Sequence, residues 1–127
     1  MSLLDVRSLS SGYGDFQALF DLDVSLDEGE TLAIIGANGA GKTTFLRTLS
    51  GIVPAMSGSV TFDGVDLLAV PAHQRVAAGI SMVPEGRKLF PSLSVKENLQ
   101  IGAHGGRRGH WNLARVLEVF PLIERLL

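Results

Sequence analysis

The sequence predicts an α/β fold in which an antiparallel β-subdomain joins a buried strand, a glycine-rich loop and a helix. Four observations predict it. Leu32-Ala33-Ile34-Ile35 is an apolar run too short for a helix and suited to a strand buried on both faces. It leads into Gly36-Ala37-Asn38-Gly39-Ala40-Gly41-Lys42-Thr43, an uninterrupted GxxxxGK(S/T) pattern. Thr44 follows, and Phe45, Leu46 and Leu49 continue at helical spacing until Gly51 and Pro54 stop the helix. Further on, Ser59-Val60-Thr61-Phe62, then Asp63-Gly64, then Val65-Asp66-Leu67 spells strand, tight turn, strand.

The remaining elements follow in order. Leu3 to Leu9 alternates loosely and reads as an edge strand, and Ser11-Gly12-Tyr13-Gly14-Asp15 as a turn carrying the only tyrosine. Phe20, Leu22, Val24 and Leu26 alternate with Asp21, Asp23 and Ser25, a period-2 strand with one wet face. Asp27-Glu28-Gly29-Glu30 turns the chain toward the apolar run. Pro71 opens a helix that stops at Gly79, and Ile80-Ser81-Met82-Val83 reads as a second short buried strand. Pro84-Glu85-Gly86-Arg87-Lys88 is a polar loop. Ser94-Val95-Lys96-Glu97 is a capping box, so a helix carrying Leu99 starts there. Gly102 to Gly109 is loop-like, with Arg107-Arg108 exposed. Asn112 caps a last helix with Leu113, Val116, Leu117 and Phe120 on one face, before Pro121.

A chain of 127 residues is one small domain or part of a larger one. Its 46% hydrophobic content is high for this size and suggests doubly buried strands or apolar surface meant for a partner. No apolar run approaches the roughly 20 residues of a membrane span, and the first residues carry no basic signal-peptide region. Without cysteine there are no disulfides or thiolate metal sites, which fits a cytoplasmic protein. Charge is uneven: residues 1–66 hold nine acids and three bases, residues 67–127 four acids and eight bases. We read this as solvated surface; the sharper alternative is a basic half facing an acidic partner or phosphate.

The glycine-rich loop has the chemistry of a triphosphate site. Backbone N–H groups can surround an anion only where no side chain intervenes, and Gly36, Gly39 and Gly41 remove Cβ atoms where the chain bends around it. The helix behind the loop offers N–H groups and a partial positive charge. Lys42 supplies a mobile full charge for the β- and γ-phosphates, and the Thr43 hydroxyl can ligate Mg²⁺. The dinucleotide pattern GxGxxG fails because Asn38 stands at its second glycine. An aromatic in a glycine-rich turn is ordinarily a loop anchor, but Tyr13 can also stack on a base.

These residues resemble the ATP-binding subunits of ABC transporters. Tyr13 stands ahead of the phosphate loop, as the aromatic that stacks on adenine does in that family. SLDEGETLAIIGANGAGKTTFLRTLSG resembles the family's strand and P-loop, SGSVTFDGVDL the following hairpin, and ISMVPEGRKLFPSLSVKENL the Q-loop segment leading into the helical subdomain. Within the family, IGANGAGKTT, VPEGR..F...SV.ENL and VFPLIERL are similar to a branched-chain amino acid importer ATPase in which glutamate replaces the Q-loop glutamine. That position here is Glu85.

The resemblance implies a P-loop NTPase domain, with residues 1–91 as nucleotide-binding core and β-subdomain and 92–127 as the start of a helical subdomain. It implies ATP held by Tyr13 and by Gly36, Ala37, Asn38, Gly39, Ala40, Gly41, Lys42, Thr43 and Thr44. Mg²⁺ would be held by Thr43 and by Glu85, which sits on the loop that senses the γ-phosphate and whose carboxylate the ion would bridge to phosphate. Partners would be a second ATP-binding subunit and transmembrane permease subunits, with no nucleic acid, on the cytoplasmic face of the cell membrane. The family's signature motif, Walker B aspartate, catalytic glutamate and switch histidine are not found up to Leu127, and His73, His104 and His110 read as surface residues. The chain is thus expected to be the N-terminal half of such a domain, with no catalytic residue identifiable in it and no hydrolysis on its own. Two rivals stand beside this reading. A GTPase needs an Asn/Thr-Lys-x-Asp motif and a small kinase an arginine-rich lid, for which Arg107-Arg108 is a poor substitute. A non-catalytic nucleotide-binding module is separated from an ATPase by turnover.

Overall fold

The computed structural model describes residues 2–36, 41–84, 86, 89–102, 109 and 111–126. The chain divides into two compact units, Met1–Met82 and Val83–Leu127.

The first unit is built on an antiparallel sheet of β1 (Leu4–Tyr13), β2 (Phe16–Leu26), β3 (Ala55–Phe62) and β4 (Val65–Asp66), in the order β2-β1-β3-β4. The expected edge strand is therefore an interior one: Leu4 pairs with Leu26 on one side and with Phe62 on the other. Its alternation is loose because Ser8 sits at φ 49° and both ladders shift register around it. Asp23 accepts the Ser8 N–H at 2.7 Å. Gly58, at φ 96°, lies against this bulge, where a Cβ would stand 2.4 Å from the Ser8 carbonyl oxygen. No other residue fits that approach.

The expected five-residue turn around Tyr13 is shorter. Ser11, Gly12 and Tyr13 pair with Leu19, Gln17 and Phe16, leaving only Gly14 and Asp15 to turn. β2 keeps Leu22, Val24 and Leu26 half-buried, but Phe20 is 67% exposed. Asp21 at φ 42° and the register shift between Leu9 and Ser11 turn Leu19 inward instead.

Helix α1 (Lys42–Ser50) forms where expected, and Gly51 ends it at φ 91°. Phe45 and Leu49 are buried with Leu4, Val6, Leu9, Leu19, Val60 and Leu67 in the core, while Leu46 faces out. The Asp63-Gly64 hairpin holds, with φ 50° and 78° at its two turn residues. Helix α2 (Ala72–Ala78) follows Pro71 and ends at Gly79 as read. Its Arg75 is buried and reaches the end of α1, donating to the carbonyls of Thr48 and Leu49 at 2.8 and 3.0 Å.

Two expected strands do not form. Residues 31–36 make no strand, and Leu32, Ile34 and Ile35 are exposed, the last by 92%. Ile80-Ser81-Met82-Val83 makes none either. A strand buried on both faces needs a hydrogen-bonded neighbour on at least one edge, and neither run has one among the described residues.

The second unit contains α3 (Val95–Ile101) and α4 (Leu113–Val119). Ser94 and Glu97 close the expected capping box, and the Asn112 side chain accepts from the Arg115 N–H at 2.9 Å. Leu113, Val116 and Leu117 are half-buried, but Phe120 leaves their face because it sits past the helix at φ −123°, ψ 69°. Among the described residues no helix is long and apolar enough to cross a membrane.

Candidate functional site

The tight β1–β2 turn and the start of α1 meet around a cavity of about 270 Å³ lined by Tyr13, Phe16, Ala18, Gly41, Lys42, Thr43 and Thr44. Sequence explains each wall. Pairing of Tyr13 with Phe16 across two turn residues sets both aromatics at the end of the hairpin, 44% and 68% exposed. Gly41 lets α1 start against β2: at φ 91° its missing Cβ would lie 3.0 Å from the Ala18 carbonyl oxygen and 3.3 Å from the Leu19 side chain.

The electrostatics favour an anion. No acidic side chain occupies the first turn of α1 and no side chain caps it, so the positive end of the helix is not offset there. Lys42 donates from Nζ to the Gly36 carbonyl, which ties it to the start of the loop. Thr43 is exposed at the cavity and Thr44 is buried beside it. The residues thus suit a phosphate group with a hard cation: amides, one ammonium and one free hydroxyl, with an aromatic wall facing them.

Hydroxyl groups pin the two sides together. Ser11 Oγ and Thr48 Oγ1 are 2.8 Å apart and buried, and Thr48 Oγ1 also approaches the Thr44 carbonyl at 2.7 Å. The Tyr13 phenol oxygen accepts from Thr44 Oγ1 at 3.5 Å and from the Arg47 guanidinium at 3.2 Å. These donors, Thr44 first and Arg47 next, lower the Tyr13 pKa from its ordinary value because they favour the phenolate.

Of the residues singled out from sequence, the cavity gathers Tyr13, Gly41, Lys42, Thr43 and Thr44, and Gly36 joins through Lys42. Ala37, Asn38, Gly39, Ala40 and Glu85 lie outside the described residues, as do His104 and His110; His73 is exposed. Phe16, Ala18 and Arg47 were missed. Arg47 had a signal, since it stands three residues after Thr44 and so on the same helix face. Phe16 had a weaker one in the Gly14-Asp15 turn.

A family profile described as ABC transporter matches residues 19–125. The high-affinity branched-chain amino acid transport ATP-binding protein BraG of Pseudomonas aeruginosa is 40% identical over 124 residues, 96% of this chain and 53% of that protein. A probable branched-chain amino acid transport ATP-binding protein, LivF of Archaeoglobus fulgidus, is 34% identical over 80% of this chain and 43% of its own length. The spermidine/putrescine import ATP-binding protein PotA of Pasteurella multocida is 32% identical over 96% of this chain and 32% of its own. The chain thus spans about half or less of the length of these relatives. Among solved structures, an ATP-binding subunit of an ABC transporter superposes with a TM-score of 0.82 at 31% identity, covering 98% of this chain and 53% of that one. The dimeric, post-hydrolysis ATP-binding cassette MJ0796, bound to ADP and Pi, shares the fold at a TM-score of 0.76 and 22% identity, over 97% of this chain and 59% of that one.

Proposed function

We propose, from the premise that this chain belongs to the ABC transporter family, that it supplies the ATP-binding half-site of an importer's ATPase subunit. The observation that carries the reading is the single cavity in which Tyr13 faces Gly41, Lys42, Thr43 and Thr44. Tyr13 stacks on the adenine, and the amides from Gly36 through Thr44, including Ala37, Asn38, Gly39 and Ala40, surround the phosphates. Lys42 releases the Gly36 carbonyl and pairs with the β- and γ-phosphates, and the Thr43 hydroxyl ligates Mg²⁺. When bound, that ion offsets phosphate charge. Glu85 belongs to the loop that senses the γ-phosphate; its carboxylate is repelled by phosphate unless the cation lies between them.

The wider proposal is a subunit that pairs with a second ATP-binding subunit and with transmembrane permease subunits, on the inner face of the membrane. In it, residues 1–91 form the nucleotide-binding core and 92–127 begin the helical subdomain. ATP binding favours the closed pair, and hydrolysis resets it. Branched-chain amino acids as cargo are supported by the likeness to BraG and LivF. Loss of labelled leucine uptake, with putrescine uptake retained, in cells lacking the gene is the expected outcome. The reverse pattern would assign polyamines.

Calorimetric titration with Mg·ATP tests the site. Lys42→Ala should weaken binding more than tenfold, about 1.4 kcal/mol, and equal affinity in the variant would remove the reading. Tyr13→Ala should cost about 1 kcal/mol.

A further inference from the structure

Tyr13 is the wall of the site that reads a base, yet it stands at a strand end, 44% exposed and beside a two-residue turn. A ring in that setting rotates freely unless its far end is held. Two side chains of α1 hold it. Arg47 donates to the phenol oxygen at 3.2 Å, and Thr44 does so at 3.5 Å. Both project from one face of the helix, three residues apart, and Thr48 completes that face by bonding Ser11 of β1 at 2.8 Å. Among the described residues Arg47 has no carboxylate partner. Among those residues the side-chain partner of its guanidinium is Tyr13.

The geometry points to Arg47 as a positioning residue for the base: it fixes the Tyr13 ring against the helix whose first turn lines the phosphate side of the cavity. This rests on the nucleotide-site reading above. One rigid helix then sets both the phosphate end and the base end of the ligand, through Lys42 and Thr43 at its start and Arg47 one turn on. The bland alternatives are that Arg47 only complements the negative end of α1, or only adds positive potential toward phosphate.

The test uses the whole chain and two ligands, Mg·ATP and magnesium tripolyphosphate, which has the phosphates but no base. Tyr13 is the only tyrosine, so an ultraviolet titration of phenolate reads it alone. Arg47→Met, which keeps the aliphatic stem and removes the donors, should raise the pH at which Tyr13 ionises. It should weaken Mg·ATP about fivefold and leave tripolyphosphate within about twofold. Arg47→Lys should restore most of both properties, and adding Tyr13→Phe to Arg47→Met should cost little more than either alone. Equal weakening of the two ligands, or an unmoved titration with unchanged Mg·ATP affinity, would overturn the inference. Lys42→Ala is the control for the underlying reading. If it leaves both ligands unaffected, the nucleotide site itself is refuted and this role of Arg47 with it. If it weakens both while Arg47→Met weakens neither, only the role of Arg47 is refuted.

Discussion

The end of α1 offers the most demanding test of how this fold is held. A helix leaves its last carbonyls without partners, and here Gly51 and Arg75 take them up. Gly51 donates its N–H toward Arg47 and Thr48. Arg75 spends three bonds: Nε to the Val70 carbonyl at 2.9 Å and one terminal nitrogen to the carbonyls of Thr48 and Leu49. Arg75 is 7% exposed, and burial lowers its pKa from the ordinary value, so its charge carries a desolvation cost. Arg75→Met keeps the volume and removes the donors. Three charge-assisted bonds at about 1.5 kcal/mol each, less the recovered desolvation, leave a net loss of about 2–3 kcal/mol. Arg75→Lys should fall between, because an ammonium is a point donor that cannot span Val70 and the helix end together. Urea unfolding followed by circular dichroism measures this, with an unchanged slope required for the comparison. An Arg75→Met midpoint equal to wild type would refute the reasoning, since the three carbonyls would then have equivalent partners without Arg75.

Further predictions follow from single contacts. Gly41→Ala combines a positive φ with a 3.0 Å approach to the Ala18 carbonyl oxygen, so it should destabilise the fold by about 1–2 kcal/mol and weaken Mg·ATP, read by unfolding and by calorimetry. Thr48→Val should cost about 1–3 kcal/mol, because it leaves the buried Ser11 hydroxyl without its partner; Ser11→Ala with Thr48→Val together should cost less than the sum. Glu97 is held below its ordinary pKa by the Ser94 N–H and then by the Ser94 hydroxyl. Its contribution to α3 is therefore present above the ordinary carboxylate range and lost as pH falls through the depressed value, which amide exchange at Ser94 and Glu97 follows. An α3 insensitive to acid, or one equally stable with Glu97→Gln at neutral and low pH, would contradict this.

Local signals were legible in the sequence because the interactions behind them span only a few residues. The Asp63-Gly64 turn, the Ser94–Glu97 box, the Asn112 cap and the glycine stops at Gly51 and Gly79 each follow from backbone sterics or one side-chain bond. The proposed phosphate side of the site belongs to the same class, since its loop, helix start and lysine are contiguous in the sequence. Register is different. The loose alternation of β1 predicted an edge, whereas the bulge at Ser8 and the glycine at Gly58 that accommodates it lie on separate strands. The same effect reversed Phe20 and Leu19, because one residue at positive φ changes which side chains face the core.

The proposed base side of the site shows why this matters. The sequence places Tyr13 in a glycine-rich turn, where its two roles, anchor and stacking wall, are hard to tell apart. In the fold it ends a strand, pairs with Phe16 and gives its phenol to Thr44 and Arg47. Those donors lie more than thirty positions along the chain, so no turn rule reaches them, yet helix periodicity does: once Thr44 is placed in the first turn of α1, Arg47 must share its face. A signature loop therefore predicts more than its own residues. The helix it starts carries a second set of side chains, one turn along, that reach the neighbouring sheet, as Arg47 reaches Tyr13 here.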